Sequence, residues 1–205
     1  MNDRFFDLKK EKQDRMINAA LQVFGRYGYQ HASTDEIVKT AGISKGLLFH
    51  YFESKLGLYA YLYDYTTRFV ALELTQSVEE DENRFFELYR QMLQAKAAAL
   101  SQYPYIYLFL KRADEESDLR AVSEISERRE KYRRILEALR DRADITVLGP
   151  GTDYKKLWDL MDFAVDGVLE RHMKGENFRS DLFYEEAIEY ISIIRGFSGI
   201  ENVTV

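Results

Sequence analysis

The chain has 205 residues, 46% of them hydrophobic, with a formal net charge of −6, two prolines and no cysteine. Such a composition supports a sizeable core and argues against disorder. The missing cysteines exclude disulfides, thiolate metal sites and cysteine nucleophiles, and suit a reducing cytoplasm.

Few glycines and abundant Leu, Ala, Glu, Lys and Arg predict an almost entirely helical protein. Met1–Lys12 mixes acids with bases and has no long apolar stretch, so it reads as neither signal nor transit peptide. No run approaches the ~18 apolar residues of a membrane span. A cytoplasmic protein with no membrane partner is expected. Charge is uneven: residues 1–58 hold nine Lys and Arg against seven acids, a net +2, while 59–205 carry −8. A mildly basic head on an acidic body is compatible with phosphate contact at one end only.

The first helix is predicted from about Lys9 to Tyr27, with Met16, Ile17, Ala20, Leu21 and Phe24 as one apolar stripe and Gly28 as a left-handed stop. Ser33-Thr34-Asp35-Glu36 has the form of a capping box and opens a short helix with Ile37, Val38 and Ala41 inward. Gly42 ends it, Ile43 plugs the turn, and Ser44 caps a second short helix, Lys45 to Tyr51, with Leu48 and Phe52 stacked on its inner face. A long helix follows from Ser54 to about Ser77, with Leu58, Leu62, Tyr65, Phe69 and Leu72 expected inward. The acidic Glu79–Asn83 turns the chain. Further helices are expected near 84–102, 104–114, 118–142, 153–173 and 181–196, with breaks at Pro104 and at Leu148-Gly149-Pro150-Gly151.

Two short capped helices about a tight Ala41-Gly42-Ile43-Ser44 turn have helix-turn-helix geometry, in which the second helix enters the major groove and the first braces it. Lys45 at the helix start can attract a phosphate or a guanine edge, Gly46 lets backbone approach a base, and Phe49 can press on a thymine methyl. His50, Tyr51 and Lys55 offer phosphate donors around the rim. Two short helices packed in an ordinary helical domain would show the same caps. The aromatic and basic face, expected to be exposed, favours nucleic acid.

The run Thr34-Asp35-Glu36-Ile37, then Ala41 through Lys55, closely resembles the N-terminal DNA-binding domain of the TetR family of bacterial regulators. So does Ile17-Asn18-Ala19-Ala20 followed by Phe24-Gly25-Arg26-Tyr27-Gly28-Tyr29. The resemblance covers residues from about 10 to 58; beyond 60 only length and helical pattern agree. It implies an all-α protein with a three-helix head at 1–58 and a larger helical body at 59–205 that senses a ligand and forms the dimer. It also implies phosphate contacts at Ser33, Thr34, Ser44, His50, Tyr51 and Lys55, and base-edge contacts at Lys45, Gly46 and Phe49. Two positions depart from the family pattern. Phe49 stands where tyrosine is usual, and Leu47 where a small hydroxyl residue is common.

A homodimer is also expected on physical grounds, because two-fold pairing sets two reading helices about one DNA turn, ~34 Å, apart. Leu160, Ala164, Val168, Ala187, Ile191 and Ile194 on the last two helices are the expected interface, unless those stripes face only the chain's own core. The aromatic residues Tyr103, Tyr107, Trp158 and Phe163 would suit a large apolar or aromatic effector, although at helical spacing they also serve as core. Asp162 and Asp166 read as a solvated face or arginine partners, or else as partners of a cationic ligand.

No enzyme is expected and no cofactor: the three histidines lack metal-ligand spacing, and no HExxH, nucleophile elbow or phosphate loop is present. His172 near a helix end reads as a cap. The functional expectation is a regulator, acting as a repressor, that binds a palindromic operator in double-stranded DNA and is released by an effector. The competing expectation is a helical adaptor that binds protein and has no DNA affinity.

Overall fold

The computed structural model describes residues 3–149, 151–175 and 177–198. Among them it is all-α: a 3-10 turn at Asp3–Phe5 and nine helices, α1 (Lys10–His31), α2 (Thr34–Ala41), α3 (Lys45–Phe52), α4 (Lys55–Ser77), α5 (Phe85–Gln102), α6 (Ile106–Asp114), α7 (Leu119–Arg140), α8 (Tyr154–Met173) and α9 (Ser180–Phe197). The expected bounds agree to within about two residues, except that the α1 region runs on through His31. Its helix is broken at Gly28, whose φ of 69° is left-handed, and one further turn follows. Pro150 lies outside the described residues.

The chain packs as two compact units. The first joins Met1–Ala71 to Gln102–Ile135; the second joins Leu72–Ser101 to Leu136–Val205. These are not the segments 1–58 and 59–205, because α1 packs along α6 and so draws Gln102–Ile135 in with the N-terminal helices.

In the first unit the predicted α1 stripe, Met16, Ile17, Ala20, Leu21 and Phe24, is buried in full. The Phe24 ring meets Tyr59 of α4 edge-on at 5.2 Å, and Tyr59 meets Phe109 of α6 at 5.5 Å. The corner between α6 and α7 closes on the end of α1: Glu116 accepts the Tyr29 N–H at 2.6 Å and the N–H groups of Ser117 and Asp118. Burial works against the Glu116 anion, yet these three backbone donors outweigh it and hold the carboxyl below its ordinary range.

The second unit is built on Trp158, whose ring is edge-on to Phe85 at 5.6 Å and to Tyr89 at 5.2 Å. Helix α8 packs on α9, and Met161, Val165 and Val168 of the first and Phe183, Ala187 and Ile191 of the second are all buried. Along α4 the buried positions include Leu58, Tyr59, Leu62, Tyr63, Val70 and Leu74. Leu72, expected inward, is 52% exposed, two residues off that stripe and so on another side of the helix. The acidic turn is more than a solvated cluster: Glu82 is buried and pairs with Arg84 at 2.6 Å.

Candidate nucleic-acid interface

Both short helices start on a serine. The Ser33 Oγ accepts the Asp35 N–H at 3.2 Å, one position earlier than the Glu36 of a full capping box would predict. The Ser44 Oγ accepts the Leu47 N–H at 3.2 Å. Between them Gly42, φ 65°, ends α2 in the left-handed conformation and Ile43 N–H returns to Val38 O at 3.0 Å. Ile37, Ala41, Leu48 and Phe52 are buried and fix the pair in one register.

The opposite side of α3 presents Ser44, Lys45, Gly46 and His50 as exposed residues, with Leu47 and Phe49 partly exposed. A Cβ built on Gly46 would meet nothing within 4 Å, so the backbone there faces open space. The Lys45 ammonium rests on Asp35 of α2 at 2.9 Å. Both groups are exposed, and such a pair is worth only about 0–1 kcal/mol, so a nucleic acid displaces it at little cost.

Two of the expected phosphate donors are placed differently. Tyr51 is not on the exposed face: it is only 6% exposed, with its ring edge-on to Phe5 at 5.6 Å and to His50 at 5.1 Å. Positions 48, 51 and 52 share one side of a helix, so Tyr51 goes inward with Leu48 and Phe52. Lys55 is half-buried; its Nζ donates to Gln30 O at 3.1 Å and lies 4.8 Å over the Tyr29 ring. Burial lowers its pKa, against the pull of Asp118 and Glu116. The lysine therefore ties the start of α4 to the end of α1.

The residues expected to line an effector pocket divide between the units. In the first, Tyr103 is buried, donates to Asp14 at 2.7 Å and shares a 2.6 Å bond with Tyr65, while Tyr107 is partly exposed. In the second, Trp158 is core, and the Arg140 guanidinium lies 5.2 Å from its ring. Asp162 accepts from Tyr89 at 2.8 Å and pairs with Arg140 at 3.3 Å; Asp166 pairs with Lys96 at 3.0 Å. Burial raises the Asp162 carboxyl, opposed by the Tyr89 bond and both cations. Each acid already faces a cation of the protein, which removes the motive for a cationic ligand. Phe163 is 73% exposed and lines no interior.

Among the expected interface residues, Val168, Ala187 and Ile191 are corrected: each is already buried within the single chain. Leu160 is half exposed, and Ala164 and Ile194 are intermediate. The unexpected apolar surface is Phe163, Leu182, Ile193 and Phe197. Phe5 was missed altogether, although a Phe-Phe pair in an otherwise polar leader was a signal that something there is buried. His172 does more than end α8, since its ring lies 2.7 Å from Glu186 of α9. Among the described residues no three His, Cys, Asp or Glu side chains are grouped to hold a metal, and no helix is long and apolar enough to cross a membrane.

Fold and site together define a helical protein that carries a capped helix-turn-helix at its N-terminal end. Residues 16–62 match the family model for bacterial regulatory proteins of the tetR family. An uncharacterised HTH-type transcriptional regulator of Bacillus subtilis, YuxN, is 43% identical over 61 residues, 28% of this chain and 21% of that protein. The matched stretch is thus about a fifth of that relative's length. A TetR family regulator from Chloroflexus aurantiacus superposes with a TM-score of 0.60 at 18% identity, over 95% of this chain and 97% of that one. FadR of Bacillus subtilis, solved with stearoyl-CoA, gives 0.58 at 14% identity over 93% and 98%. Over residues 16–62 the chain is thus similar to the tetR family's regulatory proteins, and its fold is the one those solved regulators share.

Proposed function

We propose that this protein is a homodimeric, ligand-responsive regulator, acting as a repressor in the cytoplasm. It reads a palindromic operator through α3 and is released by a small-molecule effector. The observation that carries the reading is the Ser44–His50 face: an exposed lysine, an open backbone at Gly46 and a partly exposed ring at Phe49, on a helix braced from behind. Lys45 and Gly46 meet base edges, Phe49 a thymine methyl, and Ser33, Thr34, Ser44 and His50 phosphates. Tyr51 reaches phosphate only by its hydroxyl, and Lys55 only by giving up Gln30. Phe49 lacks the hydroxyl usual at its position, so base preference rests on Lys45 and on DNA shape.

The division of labour is DNA reading by residues 1–58 and effector binding with dimerisation by 59–205. The dimer forms on the uncovered apolar sides of α8 and α9, through Leu160, Phe163, Leu182, Ile193 and Phe197. The effector is apolar or aromatic; a protein of the same fold holding stearoyl-CoA supports a ligand with a long apolar body. A coupling of about 1–3 kcal/mol between effector and operator is enough to change occupancy.

Selection of bound sequences from random duplex DNA at moderate salt tests the reading. Recovery of a two-fold symmetric consensus is expected. Recovery of none, together with binding insensitive to salt, would replace it by a protein-binding adaptor.

A further inference from the structure

The segment before α1 is built into the head. Its 3-10 turn is closed by Asp7 N–H to Arg4 O and Leu8 N–H to Phe5 O, both 3.3 Å. Gln13 of α1 pins it, donating from Nε2 to Phe6 O at 3.2 Å and Leu8 O at 2.8 Å. The turn thereby buries the Phe5 side chain completely while Phe6 stays 55% exposed. Ring centroids place Phe5 5.1 Å from Phe52, 5.6 Å from Tyr51 and 5.5 Å from Tyr61 of α4.

The site of this packing is the end of α3, where the backbone is strained. Glu53 is a non-glycine residue with φ 63° and ψ −44°, and Ser54 N–H closes on Phe52 O at 2.6 Å. That is a γ-turn of the rare, strained kind, which persists only where surrounding contacts over-determine it. Among those contacts, Phe5 reaches α3 from the segment before α1, on the side opposite Gly46.

We infer that Phe5 is a positioning residue for DNA reading, a ring wedge that sets the lie of α3 by holding Tyr51 and Phe52 against α4. It touches no nucleic acid; it fixes the helix that does. The inference rests on α3 being the reading helix, and its test has one arm that does not.

In the first arm, hydrogen exchange is followed in the full-length protein and in Phe5→Ala, Phe5→Leu and Phe6→Ala. Phe5→Ala is expected to speed exchange across residues 48–54 by about tenfold or more, the order expected where packing that held a segment is lost. Amides of α8 and α9 are expected to be unchanged, and Phe6→Ala to match wild type. Phe5→Leu, which keeps apolar volume without ring edges, is expected between the two and serves if Phe5→Ala fails to fold.

In the second arm, affinities are measured for a selected operator and for an unrelated duplex. Phe5→Ala is expected to lose about tenfold on the operator, as one mismatched base pair does, and under twofold on the unrelated duplex. Equal losses on both duplexes, an equal effect from Phe6→Ala, or unchanged exchange across α3 would each overturn the inference. A wild type that selects no sequence overturns the function proposed above, while the exchange arm still decides whether Phe5 holds α3.

Discussion

Helix α3, proposed above to read DNA, and helix α9 both carry apolar residues on more than one side, and the two solve that problem differently. In α3 the inner side, Leu48, Tyr51 and Phe52, is covered by the chain itself, and the outer side is small, with Ser44, Lys45 and Gly46 exposed. In α9 the inner side, Phe183, Ala187 and Ile191, is also covered, yet Leu182, Ile193 and Phe197 remain bare on other sides. A helix that is apolar on two sides needs two partners. For α9 the first is α8 of its own chain, and a second copy is the partner proposed here for the rest. For α3 a polar partner suffices, because its outer face offers a cation and open backbone, and its apolar side chains there, Leu47 and Phe49, are only partly exposed.

Neighbouring positions on α9 break this contrast most sharply. Ile191→Ala removes a buried side chain and is expected to cost about 2–5 kcal/mol of stability in chemical denaturation. Ile193→Asp, two residues on and 55% exposed, is expected to leave the chain helical while weakening self-association by about 2 kcal/mol or more. Sedimentation at several concentrations reads that change, and operator affinity should fall with it. Dimers that survive Ile193→Asp but not a mild core change would place the interface elsewhere.

On the α3 side the expected effects are smaller and of opposite sign. Gly46→Ala meets no neighbour and raises helix propensity, so stability should rise by up to about 1 kcal/mol. Operator affinity should nevertheless fall, since the added methyl stands where the proposed reading brings a base edge. A thermal melt and a binding titration on the same sample separate the two, and a gain in both would show that no base approaches there.

The smallest effect concerns acid. Backbone donors hold the Glu116 carboxyl below its ordinary value of 4.5. Its contribution is therefore complete above that value and is lost as pH falls through the lower, folded one. Glu116→Gln should reduce the steepness with which the head loses stability below about pH 4.5 and should hardly matter near neutrality. An unchanged acid limb would mean that the bonds to Tyr29, Ser117 and Asp118 do not depend on the charge.

Where information is local, the sequence was sufficient. Ser33, Gly42 and Ser44 lie next to the backbone groups they cap, so the bounds of α2 and α3 and most of their faces were readable. Tyr51 was readable as well, because its spacing to Leu48 puts its ring on the buried side of the helix. Phe5 was not readable in the same way, because the rings that bury it lie 46 to 56 positions away. Lys55 is a similar case, as its acceptor belongs to the extra turn beyond Gly28 that periodicity did not foresee. On α8 and α9 periodicity marks the apolar positions but not which side of each helix the chain itself covers. Ile191 and Ile193 look alike as letters, and only the packing of α8 tells which is inside.

The Lys45–Asp35 contact bears on how ionic strength would report on binding. A lysine that leaves an acid to meet DNA releases one cation from the duplex, but the vacated carboxylate gathers another from solution. The two nearly cancel. The slope of log affinity against log salt would then undercount this contact by about one, and Asp35→Asn would restore the missing unit: the protein carries its own counterion for the side chain proposed to read the sequence.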